Sequence, residues 1–244
     1  MEKIFLFFAT LLAFFVKGIT GFGNTLVMSP LFSFVLSNRL ITPIDLLFSI
    51  PTNAFIAWRE RKNISLKIVI PLSLLLLCGI IPGAFLLKTG AERLLKVLLG
   101  LVVIGLAVEM LTRREPGAGE NKKNNPVFLA VIGLLSGVLA GLYGISAPLV
   151  AYISRTTKGR GQFRANICFV FLVDNLFRLF VYLFNGILNK EAALLALLLS
   201  PAVVLGMFFG VRIDSKLSDK TVKKMVVGLL LVSGAVLIIK SFLS

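Results

Sequence analysis

The 244-residue chain is 57% apolar with a mean hydropathy of +0.97, which leaves too few polar segments to form the solvated surface of a soluble domain and places most of it in a bilayer. The net charge of +15 would point to nucleic acid in a soluble protein, but here Lys and Arg cluster in short loops between apolar runs, and no basic stretch interleaved with aromatics lies outside those runs. Histidine is absent, and Cys78 and Cys168 stand singly within apolar runs, which argues against a histidine proton relay, a thiol-relay enzyme or a disulfide framework and implies no cofactor.

In chain order, Met1-Glu2-Lys3 and the apolar run from Ile4 have the outline of a signal peptide. No small-residue cleavage site follows, and Lys17 comes next, so the segment reads as a retained membrane element. This first stretch, 4–36, is broken at Lys17-Gly18-Ile19-Thr20-Gly21-Phe22-Gly23-Asn24, with Pro30 beyond. Apolar runs near 43–58, 68–87 and 94–111 follow, each about 20 residues, as a helix needs to cross the hydrocarbon core. The longest polar stretch, Arg113 to Pro126, is a linker. Beyond it a second broken stretch, 127–154, carries Gly137-Val138-Leu139-Ala140-Gly141-Leu142-Tyr143-Gly144 and then Pro148, and runs near 165–188, 192–211 and 222–243 complete the chain.

The two sides of the linker correspond in order. Gly79-x-x-x-Gly83 matches Gly206-x-x-x-Gly210, Glu92-Arg93 matches Asp219-Lys220, Lys96 matches Lys223, Gly100 matches Gly228, and Arg59 after Trp58 falls opposite Arg178 after Phe177. The chain therefore reads as a duplication, with a first repeat at 1–112, a linker at 113–126 and a second repeat at 127–244.

Charge orients the repeats. If each broken stretch crosses the membrane once, the basic residues divide 11 to 13, with no bias. If each enters and returns on one side, the loops at 59–67, 113–123, 155–164 and 212–224 share a face carrying 17 basic residues against 7, the expected cytoplasmic excess. The expected fold is an all-α integral membrane protein with two inverted repeats, each a re-entrant helical hairpin plus three transmembrane helices. Both termini are then extracytoplasmic and the linker cytoplasmic. Ile4 to Lys17 is about 21 Å of helix and Asn24 to Leu36 about 20 Å, both short of the ~30 Å core. Two tilted spans per broken stretch would keep the same orientation count, so ten crossings stay open.

Paired broken helices in a membrane protein indicate a transporter. Glycine at a hairpin tip permits positive φ and close approach to the main chain, and a half-helix starting near Asn24 or Ser146 would attract an anion. The glycines concerned are Gly21, Gly23, Gly141 and Gly144; the alternative is helix packing, the role expected of Gly79, Gly83, Gly206 and Gly210. Ionisable residues within spans are costly. Asp174 and Arg178 stand four apart on one helix with Asn175 beside them. Either they neutralise each other, or Arg178 offers its planar fork to an oxyanion while Asp174 orients it or takes a proton. Arg59 either joins Arg178 or snorkels to the interface. Lys17 faces the substrate or marks the hairpin's tip. Asn24, Thr25, Asn53, Ser146 and Asn166 are uncharged donors for an oxyanion or for a neighbouring helix, and Asp45, near the start of its span, reads as a helix N-terminal charge rather than a proton carrier.

At these motifs the chain resembles the sulfite exporter TauE/SafE family of membrane transporters. The matching residues are Lys17-Gly18-Ile19-Thr20-Gly21-Phe22-Gly23 and Pro30-Leu31 in the first half. In the second they are Gly137, Gly141-Leu142-Tyr143-Gly144, Pro148-Leu149-Val150, Phe163-Arg164-Ala165, Arg178-Leu179 and Tyr182. The resemblance spans essentially the whole chain. Where members often carry two glycines and two prolines, this chain has Ser146-Ala147-Pro148-Leu149, which puts a hydroxyl where backbone would be exposed. The resemblance implies export of small sulfur-containing anions such as sulfite or organosulfonates, and the inverted repeats point to an integral inner-membrane transporter working by alternating access with a central anion site. The partners expected are the anion and the lipid bilayer, with a homo-oligomer left open. An anion channel, a membrane enzyme or assembly factor, and a scaffold are the rival readings.

Overall fold

The computed structural model describes residues 2–90, 126–144, 146–157 and 159–213, with isolated helical positions at 94, 97, 101, 104, 105, 108, 228, 231 and 235. The expected spans at 94–111 and 222–243 and the linker, Pro126 apart, lie outside the described residues but for those positions. Every regular element described is a helix. In chain order these are α1 (Glu2–Thr20), α2 (Asn24–Phe32), α3 (Asn38–Arg59), a 3₁₀ turn (Arg61–Asn63), α4 (Leu66–Thr89), α5 (Pro126–Tyr143), α6 (Ala147–Thr156), α7 (Gly159–Phe184) and α8 (Lys190–Ile213).

Among the described residues, five segments are long and apolar enough to cross a membrane: Glu2–Thr20, Asn38–Arg59, Leu66–Thr89, Gly161–Phe184 and Lys190–Ile213. The first corrects the expectation that the leading arm falls short. The helix continues through Lys17 and Gly18 to Thr20, and 19 residues rise about 28 Å. It stops because Gly21 turns to φ +84 while its N–H still donates to the Lys17 carbonyl at 2.7 Å. The helices after the breaks are the short ones. α2 has 9 residues and α6 has 10, or roughly 14–15 Å, about half the core, so neither crosses alone.

The surface is inverted relative to a water-soluble protein. Large apolar side chains such as Phe8, Leu74, Phe85, Phe184, Leu197 and Val204 are exposed, while Lys17, Asn24, Asp45, Asn53, Asp174, Asn175 and Arg178 are buried, as expected where the outside is lipid. Prolines lie within helices α2, α3, α4 and α8, which neighbouring helices in a membrane tolerate.

Two helix pairs carry much of the packing: α4 lies along α5, and α1 along α8. The contacts are duplicated. A methyl on Gly79 would meet the Leu134 carbonyl and the Val138 nitrogen, and one on Gly206 would meet the Leu11 carbonyl and the Phe15 nitrogen. Likewise Gly83 lies against Val138 and Gly141, and Gly210 against Phe15 and Gly18. These glycines let backbones touch, the role expected of them. Leu11, Phe15 and Gly18 on α1 thus do what Leu134, Val138 and Gly141 do on α5. The first helix on each side of the linker packs on the long helix of the other side, which brings the two breaks together.

Candidate functional site

The breaks converge on one cavity of about 30 Å³, lined by Gly23, Asn24 and Thr25 from the first, by Gly144 and Ser146 from the second, by Ser49 and Asn53 of α3, and by Asp174, Asn175 and Arg178 of α7. Each break ends in the N-terminus of a half-helix. Gly23, the residue before α2, sits at φ +89 and Ser146 precedes α6, and neither supplies a side-chain cap. First-turn N–H groups with the positive end of the helix dipole therefore face a shared space.

Arg178 is 1% exposed. Its Nη1 donates to the Ala140 carbonyl at 2.6 Å and its Nη2 to Asn175 Oδ1 at 2.7 Å. The neighbouring Tyr182, whose ring lies 5.8 Å from the guanidinium, donates to the Gly141 carbonyl at 2.6 Å. A cation on the last-turn carbonyls of α5 is favourably placed. Arg178 Nε has no partner, and neither does Asp174 Oδ1 nor Asn53 Oδ1. The expected one-turn pairing therefore does not run through Asp174 Oδ1; Asn175 and Ala140 hold the guanidinium instead. A buried, unmatched N–H and unmatched acceptors in one small cavity are costly unless something binds them.

Asp45 overturns its expected role as a helix-start charge. It lies two turns inside α3, fully buried. Its Oδ1 accepts from Asn24 Nδ2 at 2.6 Å and its Oδ2 from Thr25 Oγ1 at 2.7 Å, while Asn24 Nδ2 also reaches Ser49 Oγ at 2.9 Å. A carboxylate fixed by two side-chain donors is well held in an apolar interior. A hydropathy reading places this Asp near the start of its span, and only the tertiary contact shows that α2 folds back on it.

Of the other expected site residues, Lys17 is buried with its ammonium 5.7 Å from the Phe14 ring, and does not line the cavity. Gly21 packs on Arg164, and its carbonyl accepts from Cys168 Sγ at 3.1 Å. Gly141 is a helix contact that accepts from Tyr182. Asn166 Oδ1 accepts from the Ser65 N–H at 2.8 Å, tying α7 to the start of α4. Arg59 ends α3 and is exposed, so the symmetry with Arg178 does not bring it inside. The residue that plays Arg178's part at the first break is Arg164, which donates to the Ile19 carbonyl in the last turn of α1. The sequence reading counted it as a loop charge because its position next to α7's start hides that contact.

A family profile described as Sulfite exporter TauE/SafE matches residues 6–237. A curated protein named "Probable sulfite/organosulfonate exporter TauE", from Cupriavidus necator, is 27% identical over 156 residues, 63% of this chain and 59% of the relative. The match thus spans about three fifths of that relative's length. No solved structure matches the chain.

Proposed function

Because the chain belongs to the sulfite exporter TauE/SafE family, a family of membrane transporters and not of enzymes, we propose that it exports small sulfur-containing anions such as sulfite or organosulfonates. The observation that carries this reading is the cavity where two uncapped half-helix N-termini meet Arg178, whose Nε lacks a partner. Helix N-termini and a guanidinium fork are what an oxyanion binds in a water-poor site. Ser146 would serve a remaining oxygen, whereas Asn24 and Thr25 give their donors to Asp45 and Ser49.

The mechanism proposed is alternating access between two inverted repeats, 1–112 and 127–244, with both termini extracytoplasmic and the linker cytoplasmic. The duplicated glycine contacts and the 17 to 7 division of basic residues support it. A cavity of about 30 Å³ is the size of a water or two, so an oxyanion enters only when the repeats move apart. Outward movement of a monoanion gains about 2.3 kcal/mol per 100 mV of inside-negative potential, so export needs no coupled ion. In a proton-coupled cycle Asp174, with its unmatched Oδ1, is the group to carry the proton.

The test is efflux from proteoliposomes loaded with sulfite, sulfoacetate, thiosulfate or sulfate, with and without a proton gradient. Saturable sulfite efflux is expected. No flux of any of the four would overturn the reading, and currents far above carrier turnover would convert it to a channel.

A further inference from the structure

Behind the cavity, Arg178 and Asp45 approach the same point. A methyl placed on Gly144 would lie 2.8 Å from Arg178 Nη1 and 3.1 Å from Asp45 Oδ2, so the guanidinium faces a carboxylate across the second break. Asp45 is also bonded to the two side chains, Asn24 and Thr25, that open α2. Any anion bound between the half-helix N-termini and Arg178 therefore has a fixed negative charge as a close neighbour. We propose that Asp45 sets the charge of the transported species, admitting monoanions and rejecting dianions.

The charges around the cavity support this. Lys17, Asp45, Asp174 and Arg178 are each at most 3% exposed. In their ordinary ionised forms the two cations and two carboxylates cancel. What remains is the two helix N-termini, each equivalent to roughly half a positive charge, about one positive charge in all. That balances a monoanion. A dianion would leave one uncompensated negative charge in a low-dielectric interior and would feel twice the repulsion from Asp45. Arg164 is only partly buried and is bound to the Ile19 carbonyl, so it stands outside this set of buried charges. Removing the charge of Asp45 raises the surplus to about two, the value a dianion needs. Asparagine at this position keeps an acceptor oxygen for Asn24 or Thr25, so the substitution changes charge more than shape.

This inference rests on the transport reading above, and the probes separate the two. Methanesulfonate and sulfate share a tetrahedral SO₃ head and differ by one charge. Their efflux is compared from proteoliposomes clamped at zero membrane potential, so that the potential does not favour the dianion. Wild type should move methanesulfonate faster by about tenfold or more, Asp45→Asn should shrink that ratio by about tenfold, and Asp45→Glu should keep it, since interior charge repulsion is strong. Equal wild-type rates overturn the proposal, as does an active Asp45→Asn protein with an unchanged ratio. If Asp45→Asn is inert, the wild-type ratio decides. If wild type moves neither probe nor sulfite, it is the transport reading that fails.

Discussion

Asn24, the first residue of α2, donates to Asp45 of α3 at 2.6 Å, so the half-helix after the first break is anchored through its side chain to a buried carboxylate rather than by a cap. Removing this donor leaves Thr25 to hold Asp45. A hydrogen bond to a buried charge contributes about 1.5–3 kcal/mol. Asn24→Ala should therefore lower the melting midpoint in detergent, measured without any anion present. An unchanged midpoint would show that the bond contributes little to the fold.

Arg178→Ala should reduce anion efflux to background while the protein still elutes as a single folded species in detergent. The substitution removes the guanidinium whose Nε lines up no partner and whose other nitrogens hold Ala140 and Asn175. Arg178→Lys should restore little, because one ammonium cannot satisfy Ala140, Asn175 and an oxyanion with the geometry of a planar fork. Near-normal flux in either variant would remove Arg178 from the site.

Arg59→Ala should stay within about twofold of wild-type efflux, since an exposed residue at the end of α3 has only an interfacial role. A drop as deep as that of Arg178→Ala would mean that Arg59 reaches the anion in another conformation of the carrier.

The glycine pairs make a stability prediction with an internal control. Gly83→Val drives a branched side chain into Val138 and Gly141 of α5, where backbone cannot retreat, and overpacking of this kind typically costs about 1–3 kcal/mol or more. Gly105 has nothing within 4 Å of its would-be methyl, so Gly105→Ala should be neutral. Thermal unfolding of the two variants side by side checks the contrast, and equal midpoints would count against the close packing of α4 on α5.

What could be read from the sequence was what is local in it. The glycine breaks, Pro30 and Pro148, and the one-turn spacing of Asp174, Asn175 and Arg178 are neighbours along the chain, and the structure places Gly23, Gly144 and the three α7 residues on the cavity. Asp45 was misread because its partners, Asn24 and Thr25, are some twenty residues away and reach it only when α2 folds back. Arg164 was misread for a similar reason. Its acceptor, the Ile19 carbonyl, is a backbone atom in the other half, and no side-chain pattern announces a carbonyl left open at a helix end. Symmetry itself misled at Arg59, where two arginines aligned in sequence differ in burial because α7 continues past its arginine and α3 ends at its own.

Two of the break glycines with positive φ, Gly23 and Gly144, should not be equivalent. Gly23 sits at φ +89 and Gly144 at φ +72, so alanine at either position carries the left-handed backbone cost of roughly 1–2 kcal/mol. Space separates them. A methyl on Gly23 would find its nearest neighbour, Val16 Cγ1, at 3.7 Å, an ordinary contact, whereas one on Gly144 would lie 2.8 Å from Arg178 Nη1. Gly23→Ala should therefore lower stability modestly and leave the apparent affinity for the anion near that of wild type. Gly144→Ala crowds both Arg178 Nη1, which holds the Ala140 carbonyl, and Asp45 Oδ2, so efflux should fall by about tenfold or more, with a raised KM where flux remains measurable. Concentration-dependent efflux of both variants decides the matter: matching KM values would mean that the second break serves only as a turn, and that the position of Arg178 against Gly144 does not matter to the anion.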